Sequence, residues 1–551
     1  MSDHKDNSLT SKKKFYTDPS FLLLWVMVFV YPLFVVPGPL IYFFGPRYLM
    51  LTAVSILAFY HAIRLKVKLE RNILITILVF LLTVLISSLM APDLNTAFFG
   101  SFSRYTGFST YLFCVLLFIL ATSNNQPLVI LKYIIVSAAV VSFIALLQFY
   151  GVDILFYEMY KGSDNRAFST MGNANWLGFY TAFILPGSMI LYLVEKKRCW
   201  LFSTLLIYAG LLSNTSRGSW LTFATAFIFI LISFWRDKEK RQKLLLVVVL
   251  FAIITLFMLP VDDWLVFRFA VSTPVQVTSA VQLEESAGSG RMFIWKSAFD
   301  IFRDNLLFGV GPDHLYIIRL DGKTIPYAHN IFLEKAASMG LFVLLSYFLF
   351  VFVLLKRAWN STYYRVFFVM LTTYLVHGLF NSEVIAFMPL FWVTAGLAIA
   401  FARKSEVNGV ACENIPETEE NKEKLKLKRH LFMVTIIGLL IFVLGFSYIY
   451  FYPSYRTVVV QGSSGGTYTG QFRGISYHGQ GTWEANTGIT YTGSFRYGEF
   501  AGFGEMLFPN GSRYCGEFKN GRFHGQGKII AKDGSVTEGI FKHGRLIKSG
   551  H

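Results

Sequence analysis

The sequence predicts an α-helical polytopic membrane protein that ends in a small all-β sheet. Of its 551 residues, 54% are hydrophobic, and many of these fall in runs of about 16 to 24 residues, the length that crosses a bilayer as one helix. After the last run, the composition changes to Gly, Tyr and Phe in a regular repeat. The runs predict the membrane helices, and the repeat predicts the sheet.

The net charge of +17 raises the question of a nucleic-acid partner. However, most Lys and Arg residues lie in short loops between apolar runs, such as 64–68, 196–198 and 236–243. Basic residues in such loops set the orientation of a membrane protein, so we exclude nucleic-acid binding. The four cysteines are scattered without CxxC spacing, which argues against a disulfide framework or a zinc knuckle.

The apolar runs predict about 12–13 transmembrane helices. The first run, Phe21 to Phe44, is too long for the core of a signal peptide and is expected to be retained; the second is predicted near 48–64. With the N-terminus inside, the inward loops carry the excess of Lys and Arg, which predicts a multi-pass protein of the cytoplasmic membrane. The predicted domains are a cytoplasmic tail at 1–20, a transmembrane domain at 21–402 with a large extracytoplasmic loop at 261–330, a charged cytoplasmic linker at 403–430, a final transmembrane helix at 431–452 and an extracytoplasmic repeat domain at 453–551.

The C-terminal repeat has a period of 23 residues, marked by Tyr468-Thr469-Gly470, Tyr491-Thr492-Gly493 and Tyr514-Cys515-Gly516. Aromatic residues alternating with polar ones, punctuated by Gly, are typical of stacked β-hairpins. The segment resembles MORN repeats, with three full units and a fragment. We expect its aromatic rows to pack the sheet rather than bind carbohydrate, and we expect the array to bind an envelope component or a protein partner.

Three polar elements on the predicted outer side are candidates for a site. Arg217 lies in a short turn on the predicted outer side. The excess of basic residues in inward loops does not explain an arginine there, so it needs an anionic partner. That partner is either a substrate or the phosphate of a lipid. Arg291 begins an apolar-rich stretch that is predicted to form an interfacial helix and to end at Gly309-Val310-Gly311-Pro312. His329 stands where the long outward loop re-enters the membrane, a location that suits a general base.

Together these elements resemble the O-antigen ligase and O-antigen polymerase superfamily, in order as well as in kind, over residues 20–402. The matching residues are Arg217-x3-Leu221, His329-Asn330 followed by nine residues and then Gly340, the segment 172–176 (Gly-Asn-Ala-Asn-Trp), and 291–295 running on to Gly309-Val310-Gly311. The ligase pattern often has a Tyr after the last Gly. Here Gly340 is followed by Leu341-Phe342-Val343, so the choice between ligase and polymerase stays open.

The resemblance implies a fold related to the type C membrane glycosyltransferases. It also implies a glycan donor linked to a polyprenyl diphosphate, and a lipid, glycan or protein acceptor. Arg217 and Arg291 would bind the diphosphate, because guanidinium groups offer paired donors to phosphate. His329 would deprotonate the acceptor hydroxyl, with inversion at the anomeric carbon. This scheme needs no metal and no other cofactor.

Several further polar residues are lower-ranked candidates for lining the substrate site: Asn173, Asn175, Asn330, His377 and Glu383. Asn173 and Asn175 have a second interpretation as caps of the helix that follows them. The acidic pairs Asp262-Asp263 and Glu284-Glu285 are interpreted as solvated loop charges.

Three functions therefore remain open. The first is a glycan ligase, and the second is a polymerase that extends lipid-linked repeats. The third is a non-enzymatic transporter or scaffold for lipid-linked sugar, although the membrane portion lacks the internal repeats common in transporters.

Overall fold

The computed structural model describes residues 19–35, 40–101, 104–152, 166–259, 287–315, 317–318, 324–325, 327–358, 364–408, 453–460, 466–473, 476–496, 499–519, 521–542 and 544–549. They form two compact units, one helical and one a β-sheet at the C-terminal end of the chain. The final helix predicted at 431–452 and both acidic pairs lie outside the described residues.

Fourteen helices are described within the first unit, and a two-stranded ribbon joins Ile317–Ile318 (β1) to Thr324–Ile325 (β2). In chain order the helices are α1 (Pro19–Leu33), α2 (Leu40–Arg64), α3 (Arg71–Leu89), α4 (Leu94–Phe99), α5 (Phe108–Thr122), α6 (Pro127–Phe149), α7 (Ala174–Glu195), α8 (Arg198–Ser213), α9 (Arg217–Phe234), α10 (Lys238–Met258), α11 (Ala287–Asp304), α12 (Ile331–Ala358), α13 (Tyr364–Gly378) and α14 (Met388–Asn408).

Six of the described helices are long and apolar enough to cross a membrane: α3, α6, α7, α9, α10 and α12. Shorter apolar helices accompany them, namely α1, α5, α8 and large parts of α13 and α14. This confirms the prediction of an α-helical, multi-pass membrane protein. The total of 12–13 spans stays a prediction.

The helices differ in how much of their apolar surface is buried inside the protein. In α7, 94% of the apolar window is buried inside the protein, whereas in α10 the share is 22%. Helix α7 packs against α8, α9 and α13 at the centre of the unit, while most of the surface of α10 faces outward. Because lipid solvates apolar side chains as well as protein does, such an outward apolar face is expected for a membrane helix.

The first predicted boundary is wrong. The apolar runs predicted one span ending near residue 44 and another starting near 48. Instead, α2 runs through Pro46 without a break. Arg47 is fully buried, and its guanidinium donates to the carbonyls of Pro32 and Phe34 at 3.3 and 3.0 Å, where α1 ends. The arginine satisfies carbonyls left open at that helix end, which accounts for a buried charge there.

The second unit is a nine-stranded antiparallel sheet whose strands follow one another in chain order. Each 23-residue unit supplies one hairpin of two strands and the turn that joins it to the next hairpin, as the sequence predicted. The strands are β3 (Pro453–Val460), β4 (Gly466–Arg473), β5 (Ser476–Ala485), β6 (Thr490–Arg496), β7 (Glu499–Leu507), β8 (Arg513–Lys519), β9 (Arg522–Ile530), β10 (Val536–Lys542) and β11 (Arg545–Ser549).

The repeated Tyr and Gly residues form the core of this sheet. Tyr468, Tyr491 and Tyr514 are fully buried. The Tyr491 ring lies over the cross-strand pair Gly493–Gly504, where a Cβ built on Gly504 would come within 2.5 Å of the phenolic oxygen. Its hydroxyl donates to the carbonyl of Ser494 at 2.9 Å. The repeat therefore exists because each ring needs two glycines beneath it, and the expectation that the aromatic rows pack the sheet is confirmed for these tyrosines.

Candidate functional site

The loop before α12 is held by contacts from several elements. Asn330 caps α12, since its Oδ1 accepts hydrogen bonds from the N–H groups of Phe332 and Leu333, both at 3.0 Å. Next to it, the Ala328 carbonyl accepts a hydrogen bond from Trp295 Nε1 at 3.1 Å, and the Ala328 N–H donates to Glu334 Oε2 at 3.3 Å. The side-chain oxygen of Asn330, predicted to line the substrate site, is thus engaged as a helix cap.

His329 sits at the centre of this loop in a left-handed backbone conformation, with φ of +52°. Such a conformation is uncommon for a residue with a side chain, and it persists where surrounding contacts fix it. The His329 N–H donates to Ser382 Oγ at 3.0 Å, and its ring meets the edge of the Tyr327 ring at a centroid distance of 4.5 Å. The imidazole is half-buried, so it is held in place yet reachable.

The electrostatic environment keeps the imidazole of His329 uncharged. Burial, and after it the positive charges of Arg291 and Arg104, together lower its pKa from the usual value to about 3. An imidazole with this pKa is neutral at pH 7 and has a free nitrogen lone pair. It is in the protonation state that a proton acceptor needs.

The charge of Arg291 acts on His329, and the residue after Arg217 contacts the segment that binds the His329 backbone. Arg291 is half-buried in α11, and its charge acts on both His329 and His377. Arg217 is the first residue of α9, and the adjacent Gly218 packs so closely on Phe380 that a Cβ on the glycine would lie 3.1 Å from the Phe380 Cβ. Phe380 belongs to the 379–387 segment whose Ser382 binds the backbone of His329. The three predicted residues thus border connected parts of one region.

The structure places His377 and Glu383 within the protein interior. His377 is fully buried at the end of α13, stacks on Phe179 at 4.2 Å, and has Nε2 2.5 Å from Asn381 Nδ2. Its Nδ1 has no hydrogen-bond partner among the described residues. Glu383 is also buried, and its carboxylate meets Lys335 Nζ at 2.5 Å. Lining of the substrate by either residue stays a prediction.

The two asparagines before α7 have local structural partners. Asn173 is the N-cap of α7, where its Oδ1 accepts from the N–H of Asn175 at 2.8 Å. Asn175 Oδ1 in turn accepts from Arg166 Nη2 at 2.8 Å, and Arg166 also donates to the Asn214 carbonyl at 2.9 Å. Of the two interpretations offered by the sequence, capping describes Asn173, while Asn175 ties the start of α7 to the turn before α9.

Sequence reasoning named Glu383 but missed the other members of a cluster of charges beside the His329 loop. Two cations and three carboxylates surround a cavity of about 10 Å³, the size of one water molecule. Burial alone would lower the pKa of the Arg104 guanidinium, but the neighbouring carboxylates outweigh it and the pKa is raised. A signal was present, since Lys335 interrupts an otherwise apolar helix. The cluster consists of Arg104, Lys335, Asp313, Glu334 and Glu383.

The Gly340 of the sequence motif has a steric function. It adopts φ of +82° inside α12, and a Cβ there would lie 2.3 Å from the Leu307 carbonyl oxygen. This close approach lets Leu341 N–H donate to the Leu306 carbonyl at 2.8 Å and Gly311 N–H donate to the Ser338 carbonyl at 2.7 Å. The segment after α11 is thereby fastened to the first turns of α12, which carry Glu334 and Lys335.

Comparison with known protein families finds matches in two parts of the chain. Residues 201–348, which include Arg217, Arg291, His329 and Gly340, match the O-antigen ligase family. Residues 468–490, 491–513 and 514–536 each match the MORN repeat, in the phase that the sequence predicted. No curated protein matches the chain. The chain therefore combines an O-antigen ligase domain, whose family supports glycan transfer at a membrane, with a C-terminal array of three MORN repeats.

Proposed function

We propose that this protein is a membrane glycosyltransferase of the ligase type. It transfers a glycan from a polyprenyl-diphosphate carrier to an acceptor hydroxyl at the outer face of the cytoplasmic membrane. One observation carries the proposal most: a half-buried, uncharged imidazole at His329 stands within electrostatic reach of Arg291. A neutral base beside a cation suits the abstraction of a proton while negative charge develops nearby.

The two arginines supply the site for the diphosphate. Arg217 stands at the N-terminus of α9, where the helix dipole and open N–H groups already favour an anion. A second guanidinium at Arg291 gives the paired, charge-assisted donors that phosphate oxygens accept. Both guanidinium groups are half-buried, which strengthens their attraction for phosphate relative to water.

The proposed reaction is a single displacement. His329 takes the proton of the acceptor hydroxyl, and the acceptor oxygen attacks the anomeric carbon from the side opposite the diphosphate. The bond between that carbon and the diphosphate oxygen breaks, and its electron pair leaves on the polyprenyl diphosphate, stabilised by Arg217 and Arg291. Configuration inverts, the proton passes from His329 to water, and the scheme needs no metal.

Binding of the donor would also strengthen the base. A pKa of about 3 makes His329 a weak proton acceptor in the free protein. Burial is the main cause of this low pKa, and a diphosphate at Arg291 would neutralise the second cause, so the pKa should rise once the donor is present. His329 would therefore be a stronger base in the donor complex than in the free protein.

Reconstituted transfer tests this proposal. The protein in lipid nanodiscs is incubated with the lipid-linked glycan that accumulates in cells lacking it, and with candidate acceptors. We expect a new glycosidic bond with inverted configuration and a loss of about 10²–10⁴-fold in His329→Ala. His61→Asn, a change of another imidazole near the end of α2, is the matched control. Undiminished transfer by His329→Ala or Arg217→Ala would refute the assignment.

The same assay separates the alternatives. Leu341 follows Gly340, where the ligase pattern often continues with a Tyr, and this departure keeps a polymerase as the alternative. A polymerase would give products lengthened on the lipid carrier. A transporter or scaffold would form no new bond at all. We further propose that the sheet lies outside the cytoplasm and binds an envelope component or a protein partner. Deletion of residues 453–551 should then reduce transfer in cells without abolishing it in nanodiscs.

A further inference from the structure

Arg104 occupies a buried position that the proposed reaction does not use. The side chain is almost fully enclosed, with a relative exposure of 3%. Its Nη2 forms an ion pair with Glu334 Oε1 and donates to the backbone carbonyl of Glu383 at 3.0 Å, while Nη1 lies 3.5 Å from Asp313 Oδ1. A buried cation remains stable only with several well-placed partners, and these three belong to three different parts of the chain.

Besides Arg104, the carboxylate of Asp313 also binds Ser101. Its Oδ2 accepts from the N–H and the hydroxyl of Ser101 at 2.7 and 2.9 Å. The loop between α4 and α5 is thus attached to the segment after α11 twice, once through Ser101 and once through Arg104. The guanidinium consequently connects this loop, the segment after α11, the start of α12 and the 379–387 segment.

Two paths lead from Arg104 to His329. Glu334 binds Arg104 with one carboxylate oxygen and accepts the Ala328 N–H with the other, at 3.3 Å. The Tyr327 ring lies between the two residues. The Arg104 guanidinium carbon is 5.7 Å from the centroid of this ring, and the His329 ring meets its edge at 4.5 Å. Arg104 therefore holds both residues that precede His329, Ala328 through Glu334 and Tyr327 through its ring.

We propose that Arg104 is a positioning residue, which holds the loop 327–330 so that His329 faces the acceptor, and that it does not bind the donor. The inference rests on the proposed function of His329. Enclosure distinguishes Arg104 from Arg217 and Arg291, which are half-buried, because its guanidinium is turned toward carboxylates and a carbonyl of the protein itself. The left-handed backbone of His329 needs such support from its surroundings.

Lysine tests this role directly. Arg104→Lys keeps the charge but lacks the planar fork, so one ammonium group cannot reach Glu334, Asp313 and the Glu383 carbonyl together. We expect kcat to fall by about 100-fold with KM for the donor unchanged, since a small misplacement of a reacting group has an effect of this size. Tyr327→Leu, which leaves the ion pairs intact, should lower kcat in the same direction by a smaller factor.

A second measurement does not depend on transfer. Diethyl pyrocarbonate acylates the unprotonated imidazole, and mass spectrometry of the peptide that contains His329 follows this residue alone. In Arg104→Lys we expect faster acylation at pH 7 and a higher pH midpoint, because a released loop exposes the ring to water. The control is Arg47→Lys, which removes another fully buried arginine bound to backbone carbonyls far along the chain from the loop.

The outcomes distinguish the positioning role of Arg104 from the proposed glycosyltransferase function. Normal kcat and normal acylation in Arg104→Lys would overturn the inference, as would a raised KM for the donor with unchanged kcat, which would make Arg104 a donor-binding residue. Equal effects in Arg47→Lys would also overturn it, by showing a general loss of packing. Faster acylation of His329 in a protein that performs no transfer would uphold the positioning of the loop and refute the glycosyltransferase function.

Discussion

The helical unit and the sheet solve the problem of buried polar groups in opposite ways. Beside the His329 loop, the helical unit encloses five charged side chains around a cavity of about 10 Å³. The sheet encloses tyrosine rings over glycine pairs, and each of the three phenolic hydroxyls donates to a carbonyl three residues further on. Buried charge is costly in a membrane protein and therefore marks function, whereas the repeated Tyr–Gly unit is accounted for by packing alone.

Removal of one buried charge should have the largest effect. Lys335→Met leaves the Glu383 carboxylate, 2.5 Å from the lost ammonium, buried without its cation. The free energy of unfolding should fall by about 3–5 kcal/mol. Titration with sodium dodecyl sulfate in mixed micelles measures it. The double variant Lys335→Met/Glu383→Gln, which removes both charges, should recover part of the loss; equal losses in the single and double variants would contradict this account.

A methyl group under a tyrosine ring should have a moderate effect in the sheet. Gly504→Ala places a Cβ 2.5 Å from the Tyr491 hydroxyl oxygen, so the ring must shift at a cost of about 1–3 kcal/mol. Hydrogen exchange of the β6–β7 peptides in the intact protein should become faster. Thr492→Ala, on the exposed side of the same strand, is the control, and comparable exchange in the two variants would argue against the packing role.

Removal of the cation at Arg291 should shift the titration of His329. The pKa of this imidazole is held at about 3 by burial first and by Arg291 second, so a neutral residue at 291 raises it. A base is active above its pKa; the acid limb of kcat/KM, which reports the free protein, should therefore move upward by about one pH unit in Arg291→Gln. Acylation of His329 by diethyl pyrocarbonate against pH measures the same shift. Arg303→Gln, an exposed arginine of α11, should leave the midpoint unchanged.

The smallest effect is expected for an ion pair at the sheet surface. Arg513 Nη1 lies 3.5 Å from Glu505 Oε1, and both side chains are about half exposed, at 52% and 51%. Water and salt screen such a pair, so Arg513→Ala should change the stability of the sheet by less than about 1 kcal/mol. Hydrogen exchange of the β7–β8 peptides measures this change. A loss of stability as large as that expected for the buried Lys335–Glu383 pair would contradict the prediction.

The sequence predicted the features that depend on local periodicity. Long apolar runs predicted the membrane helices because span length is set by the bilayer, and the 23-residue period predicted the hairpins because Tyr and Gly recur in phase. A helix starting at Arg291 was also predicted; the structure has α11 there, but it begins earlier, at Ala287, and ends at Asp304. These signals lie within a few dozen residues of one another.

Features that depend on long-range contacts could not be predicted. Arg104 and Glu334 are 230 residues apart in the chain, and no local sequence pattern around either residue predicts their ion pair. The continuation of α2 through Pro46 depends on Arg47 reaching the end of α1, which compensates for a residue that usually breaks a helix. In the same way, Gly340 was recognised as part of a motif, while its function as the point of contact with Leu307 needed the fold.

The in-phase stacking of tyrosines in the sheet makes its length adjustable in whole steps. Every 23-residue unit adds two strands, and strands are spaced by about 4.8 Å, so gaining or losing one unit changes the span of the array by about 10 Å. Insertion of a single residue would instead put the next ring on the wrong face. Evolution can therefore lengthen or shorten the sheet by whole units without changing the sequence of the helical unit.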